Sequence, residues 1–179
     1  MDNLATLNYL IALGTIGMQV LSVALLVVFF FRKSSWAKGI AKIVGDSGLL
    51  VSLLLVLAGT FLSLVYSEYF GIIPCGLCWL QRVFLYPQLV LFALAAYKKD
   101  HYIADYSIVL SFLGGAVALY QHYLQMGGTS TLPCPASGVS DCAKRFLFEF
   151  DYITFPLVAF SSFALLIVIM LFVRQKRVS

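Results

Sequence analysis

The sequence predicts an all-α integral membrane protein, and three observations predict it. Of its 179 residues 61% are hydrophobic and only 11% charged, with a mean hydropathy of +0.95. A soluble domain of this length has no use for so much apolar surface. Five runs lack charge for long enough to cross about 30 Å of hydrocarbon as helices. The basic residues gather at alternate ends of those runs, as they do in membrane proteins of defined topology.

Taken in order, the spans are expected at residues 7–31, 47–66, 80–97, 106–126 and 152–173. The first has no basic leader, is longer than a typical signal-peptide core and ends without a small-x-small cleavage site. It is therefore expected to be a retained helix. Residues 32–45 read as a short basic linker. The third run is charge-free only after Arg82, and Pro87 inside it predicts a kink. Gly114 and Gly115 in the fourth predict close helix approach. Residues 146–150 are expected to form a short amphipathic element on the bilayer surface.

The net charge of +4 invites a nucleic-acid reading, but its distribution excludes one. Arg32, Lys33, Lys38 and Lys42 follow the first span, Lys98 and Lys99 the third, and Arg174, Lys176 and Arg177 the fifth. Only Arg82, Lys144 and Arg145 fall on the other side. The positive-inside rule then places the N-terminus and both cysteine-bearing loops outside, and the C-terminus in the cytoplasm. The partner of these charges is the lipid bilayer.

All four cysteines lie in the two external loops, where disulfides form and persist. Two pairs allow three connectivities. The first pair sits in Pro74-Cys75-Gly76-Leu77-Cys78-Trp79-Leu80-Gln81-Arg82, at the start of the third span. The helix dipole there favours a thiolate at Cys78 over Cys75, and Arg82, one turn deeper on the same face, adds a full positive charge. A guanidinium costs about 2.5–3.5 kcal/mol at mid-bilayer, so Arg82 is a candidate functional residue. A static disulfide is the bland alternative. Zinc fits poorly, because its motifs usually hold two tight pairs in a folded polar domain. A c-type haem needs a histidine where Trp79 stands. No metal is expected.

In the second loop Cys134 is flanked by Pro133 and Pro135, so it cannot sit inside a helix and should be presented on an extended segment. Cys142 is followed by Lys144 and Arg145, which favour its thiolate. A disulfide bracing this loop would by itself contribute roughly 2–3 kcal/mol. His122 lies near the outer end of the fourth span, at a depth comparable to Arg82. With Gln81, Tyr120, Gln121 and Tyr123 it makes a polar cluster that reads either as an interfacial band or, for the histidine, as a functional site.

The run Cys75 to Arg82 opening a helix, Tyr120-Gln121-His122 ending the next, and Pro133-Cys134 with Asp141-Cys142-Ala143 before the last resembles the DsbB family of membrane thiol oxidases. Its short BdbC-type members are the nearer form. The resemblance covers about residues 47–177. It implies a four-helix transmembrane bundle, expected over residues 46–179, to which this chain adds one additional N-terminal transmembrane helix and its basic linker, residues 1–45. It implies a protein-dithiol:quinone oxidoreductase in a bacterial or archaeal cytoplasmic membrane. A DsbA-like thioredoxin-fold protein would deliver electrons through Cys134/Cys142 to Cys75/Cys78, and thence to a membrane quinone, ubiquinone or menaquinone. Cys134 would form the mixed disulfide with the partner, Cys142 would connect to Cys75, and Cys78 would contact the quinone, with Arg82 and His122 at the quinone site. A relay of this kind, from DsbA through DsbB to quinone, keeps the bacterial periplasm oxidising.

This sequence departs from the family in its extra span, in the seven residues between Cys134 and Cys142, and in Gln81, where some members carry an acid. Two other readings compete. A vitamin K epoxide reductase-like protein shares the helices, Cys-x-x-Cys and quinone chemistry, but there the quinone-proximal pair usually comes late in the chain. A scaffold with structural disulfides has no need of Arg82.

Overall fold

The computed structural model describes residues 2–129 and 142–178. Its helices are α1 (Asp2–Phe30), α2 (Ser35–Leu64), α3 (Gly76–Lys98), α4 (Ile103–Gln125) and α5 (Phe155–Val178), with a π-helical turn, Val65–Tyr69, prolonging α2. All five helices are long and apolar enough to cross a membrane. The chain is an all-α, multi-pass membrane protein.

Helices α2, α3, α4 and α5 pack each on the next and close into a ring, while α1 lies outside it, mainly against α5. Small residues allow the closest approaches. A Cβ on Gly114 of α4 would lie 2.5 Å from the Phe163 ring of α5, and one on Gly48 of α2 would lie 2.5 Å from Val173. Gly115 also faces α5, through Phe160 and Phe163. Without a hydrophobic force between helices in lipid, such interdigitation carries much of the association.

Helix α1 shows the same logic. Asn8, Ala12, Thr15, Ser22 and Leu25 are buried, whereas Leu10, Leu13, Val20, Val23 and Val27 face outward. Thr15 and Ser22 donate to the carbonyls of Ile11 (2.8 Å) and Met18 (2.7 Å), so their hydroxyls are satisfied within the helix. Asn8 accepts from Tyr66 of the π-helical turn at 2.6 Å, and Gln19 donates to Ser161 of α5 at 3.1 Å. Polar groups are turned inward and apolar ones toward lipid.

Three expectations are corrected. The linker at 32–45 is mostly helix, because α2 begins at Ser35. Ala37, Ala41 and Val44 pack against the bundle while Lys38 and Lys42 stay exposed, so this segment follows helical spacing despite its charge. Helix α3 starts at Gly76 rather than Leu80, with Cys75 as its N-cap. Residues 146–150 form no helix. Leu147 is buried between the exposed Phe146 and Phe148, an alternation of period two, and Glu149 pairs with Ile153 in an isolated antiparallel bridge.

At the end of the bundle remote from the cysteines, Arg174 and Arg177 pair with Asp105 at 3.0 and 2.7 Å, and Lys176 with Asp46 at 2.6 Å. These pairs are partly exposed to water, so each contributes about 0–1 kcal/mol.

Candidate active site

The site is built where α3 begins. Cys75 has an extended backbone (φ −74°, ψ 173°), and its sulfur accepts from the backbone N–H of Cys78 at 3.4 Å. Spaced three apart across a helix start, the two sulfurs come to 3.0 Å of each other, and both are free thiols. That is roughly 1 Å more than a disulfide bond. The contact with the Cys78 sulfur, together with burial, pushes the Cys75 thiol well above the usual thiol range.

Gln121 of α4 gathers the surrounding groups. Its Nε2 donates to Cys75 at 3.1 Å and Cys78 at 3.2 Å, and reaches the carbonyl of Cys142 at 3.5 Å. Its Oε1 accepts from Gln81 Nε2 at 2.6 Å. Gln125, one turn on, donates to the carbonyls of Cys142 (3.5 Å) and Lys144 (3.0 Å). The second loop is thereby fastened to α4 beside the first pair. Cys142 is disulfide-bonded and 2% exposed, and it packs in one apolar cluster with Cys75, Leu77 and Leu124.

Arg82 leans from α3 to α2. Its Nε donates to Ser63 Oγ (3.0 Å) and its Nη2 to the Ser63 carbonyl (2.9 Å), while the guanidinium lies 5.2 Å from the Trp79 ring centre. Ser63 thus takes two of five N–H donors. The rest of the guanidinium borders a cavity of ≈ 500 Å³ that opens beside the thiols. Cys75, Cys78, Gln81, Arg82, Gln121, Gln125 and Lys144 make its polar end, and the remainder is mostly apolar side chains, the larger part of them from α1, α2 and α5.

The structure therefore brings Cys75, Cys78, Cys142 and Arg82 together. His122 does not line the cavity. Its Nδ1 is 2.8 Å from Thr154 Oγ1, which in turn accepts from Leu157 N–H at 3.4 Å at the start of α5. Cys134 lies outside the described residues. In the sequence Gln81 and Gln121 stand only as members of a polar cluster, and Ser63 and Gln125 do not stand out. The available signal was their depth, because an amide inside an apolar run must find partners within the protein.

A dithiol at a helix start, an oxidised cysteine packed against it and a cation bordering an apolar chamber have the composition of a membrane-embedded thiol oxidoreductase site. The family model described as "Disulfide bond formation protein DsbB" matches residues 46–173, and the chain belongs to that family. It is similar to "Probable disulfide formation protein C 2" of Bacillus anthracis, 33% identical over 114 residues, covering 64% of this chain and 80% of that one. It is 37% identical over 108 residues to "SPbeta prophage-derived disulfide bond formation protein B" of Bacillus subtilis, covering 60% and 72%. It is 31% identical over 130 residues to "Probable disulfide formation protein" of Metapseudomonas resinovorans, covering 72% and 90%. No solved structure matches. The chain is a membrane oxidoreductase of disulfide formation, and the vitamin K epoxide reductase-like and scaffold readings fall away.

Proposed function

We propose that this protein reoxidises a DsbA-like thioredoxin-fold partner and passes the electrons through its two cysteine pairs to a membrane quinone. The observation that supports this most is the Gln121 amide, which holds both free thiols and the backbone of the oxidised Cys142 in one buried cluster. The partner's thiolate attacks Cys134, releasing Cys142 as a thiolate. Cys142 then attacks Cys75 of a Cys75–Cys78 disulfide, and Cys78 leaves. The partner's second thiolate resolves the mixed disulfide, leaving the partner oxidised and Cys134 a free thiolate. Attack of Cys134 on Cys142 then restores the loop disulfide and frees Cys75, so two electrons have moved to the membrane pair. Cys75 and Cys78 free, with Cys142 oxidised, is the state after that transfer.

The chamber fits a quinone in chemistry, being apolar along its length and cationic beside the thiols. Arg82 and the apolar walls of α2 and α5 would hold it. A quinone, when bound, supplies a two-electron, two-proton acceptor for the dithiol. Arg82 places fixed positive charge beside that acceptor with no reorganisation during the reaction, and Ser63 keeps the guanidinium from turning to lipid. His122 we assign to holding the start of α5 through Thr154. The cysteine end is taken as external, the C-terminus as cytoplasmic, and residues 46–179 as the catalytic bundle to which 1–45 are added.

The test is quinone reduction by the full-length protein in lipid, driven by a reduced DsbA-like protein. Turnover that requires all four cysteines is expected. Partner oxidation that continues without any quinone or other acceptor would overturn the proposal.

A further inference from the structure

The family match begins at residue 46, so α1 lies outside it. Even so, α1 forms part of the chamber. Leu10, Gly14 and Met18, spaced one turn apart on one face, line it opposite Leu55 and Gly59 of α2. Packing mainly on α5 and tied at its outer end by Asn8 to Tyr66, α1 stands away from α2 along this stretch. A Cβ on Gly14 would meet no atom within 4 Å, and one on Gly59 would meet only Leu85, at 3.4 Å. Leu10, Gly14 and Ala58 are exposed, so the gap opens sideways toward the bilayer.

We propose that the gap between α1 and α2 is the portal and tail channel for a prenylated quinone, with Gly14 setting its bore. This rests on the quinone reading above. A molecule with a long isoprenoid chain is confined to the hydrocarbon and must reach the thiols laterally. Its polar head belongs at the Cys78–Arg82 end, and its chain must then leave through an apolar gap. Along this stretch α1 and α2 offer such a gap, and small residues keep it open. Helix α1 is on this account a specificity wall, beyond the role of a membrane anchor.

The test uses the full-length protein in lipid nanodiscs and a quinone carrying a photoreactive diazirine on its isoprenoid chain. Labelling of the peptide spanning residues 10–18 is expected, competed by unlabelled prenylated quinone and untouched by added phospholipid. Labelling absent from that peptide, or competed equally by phospholipid, would overturn the channel, the second result marking an acyl-chain groove. Gly14→Leu should fold, since leucine is the better helix former. It should cut the competed label and raise KM for the prenylated quinone about tenfold, leaving a tail-less quinone within about twofold. Gly17→Leu is the control, because Gly17 also has open space around it but does not line the chamber. Equal effects of Gly14→Leu on both quinones, or none on either, would overturn the proposal. Wild-type protein that reduces neither quinone would sink the functional reading while the labelling still reports on the channel. Normal turnover with no α1 label would sink the channel alone.

Discussion

Among the buried glutamines that join α3 to α4, Gln88 and Gln121 use the same amide differently. Gln88 on α3 donates to the Phe84 carbonyl at 2.9 Å and to Ser111 at 3.3 Å, and accepts from Ser107 at 2.6 Å. Every partner there is a hydroxyl or a carbonyl whose bonding never changes. Gln121 on α4 donates instead to two sulfurs, free thiols in this structure, which the proposed function would cycle to a disulfide. With no water in the bilayer core, both amides must be satisfied by protein. What separates them is surroundings: Gln121 borders the chamber and Gln88 does not. One glutamine staples the bundle, and the other holds the cysteines of the candidate site.

The largest expected effect lies with the sulfurs that Gln121 touches. Cys78→Ser should abolish quinone-coupled oxidation. Cys134→Ser should abolish the mixed disulfide with the partner on a non-reducing gel, yet leave quinone reduction driven by a small dithiol. Normal partner oxidation in Cys134→Ser would remove the division of labour between the pairs.

Next comes Arg82, which shares the chamber with Gln121. Arg82→Gln gives up hydrogen bonds to a charged group, about 1.5–3 kcal/mol, or roughly a tenfold to hundredfold loss of apparent quinone affinity. Arg82→Lys should recover only part of it, because an ammonium lacks the planar fork. Folded yield should hold, since a charge is removed from the membrane. Quinone dependence that does not change would make Arg82 a structural charge held by Ser63.

The smaller effects separate the glutamines themselves. Gln121→Leu should slow exchange between the two cysteine pairs by about tenfold, corresponding to one lost hydrogen bond of roughly 1.4 kcal/mol. Gln88→Leu should lower stability to unfolding by about 1–2 kcal/mol while turnover per folded molecule stays the same. Stopped-flow exchange and thermal unfolding in detergent read the two quantities. The opposite pattern would erase the distinction.

Much of this was legible in the sequence. The spans showed as charge-free runs, and the Cys75–Arg82 segment showed as a close cysteine pair at a helix start followed by a cation one turn on. Gly114 showed as a contact point, and Phe163 fills the space that it leaves. The role of Gln121 was not legible, because it depends on the register of α4 against α3, forty positions apart in the chain from Gln81. His122 stands out in the sequence as an ionisable residue at that depth, yet a helix step of about 100° from Gln121 turns it to Thr154. The first turns of α2 were hidden because Lys38 and Lys42 masked the helical spacing of Ala37, Ala41 and Val44.

The most direct test of the central claim, that Gln121 holds Cys142 ready against Cys75, is a trapping measurement. The double variant Cys78→Ser, Cys134→Ser leaves Cys75 and Cys142 as the remaining cysteines of the full-length chain. After mild oxidation in lipid, non-reducing digestion and mass spectrometry should recover a Cys75–Cys142 linked peptide within one chain, formed more slowly when Gln121→Leu is added. Two freely alkylated thiols, or a disulfide found only between chains, would contradict the account.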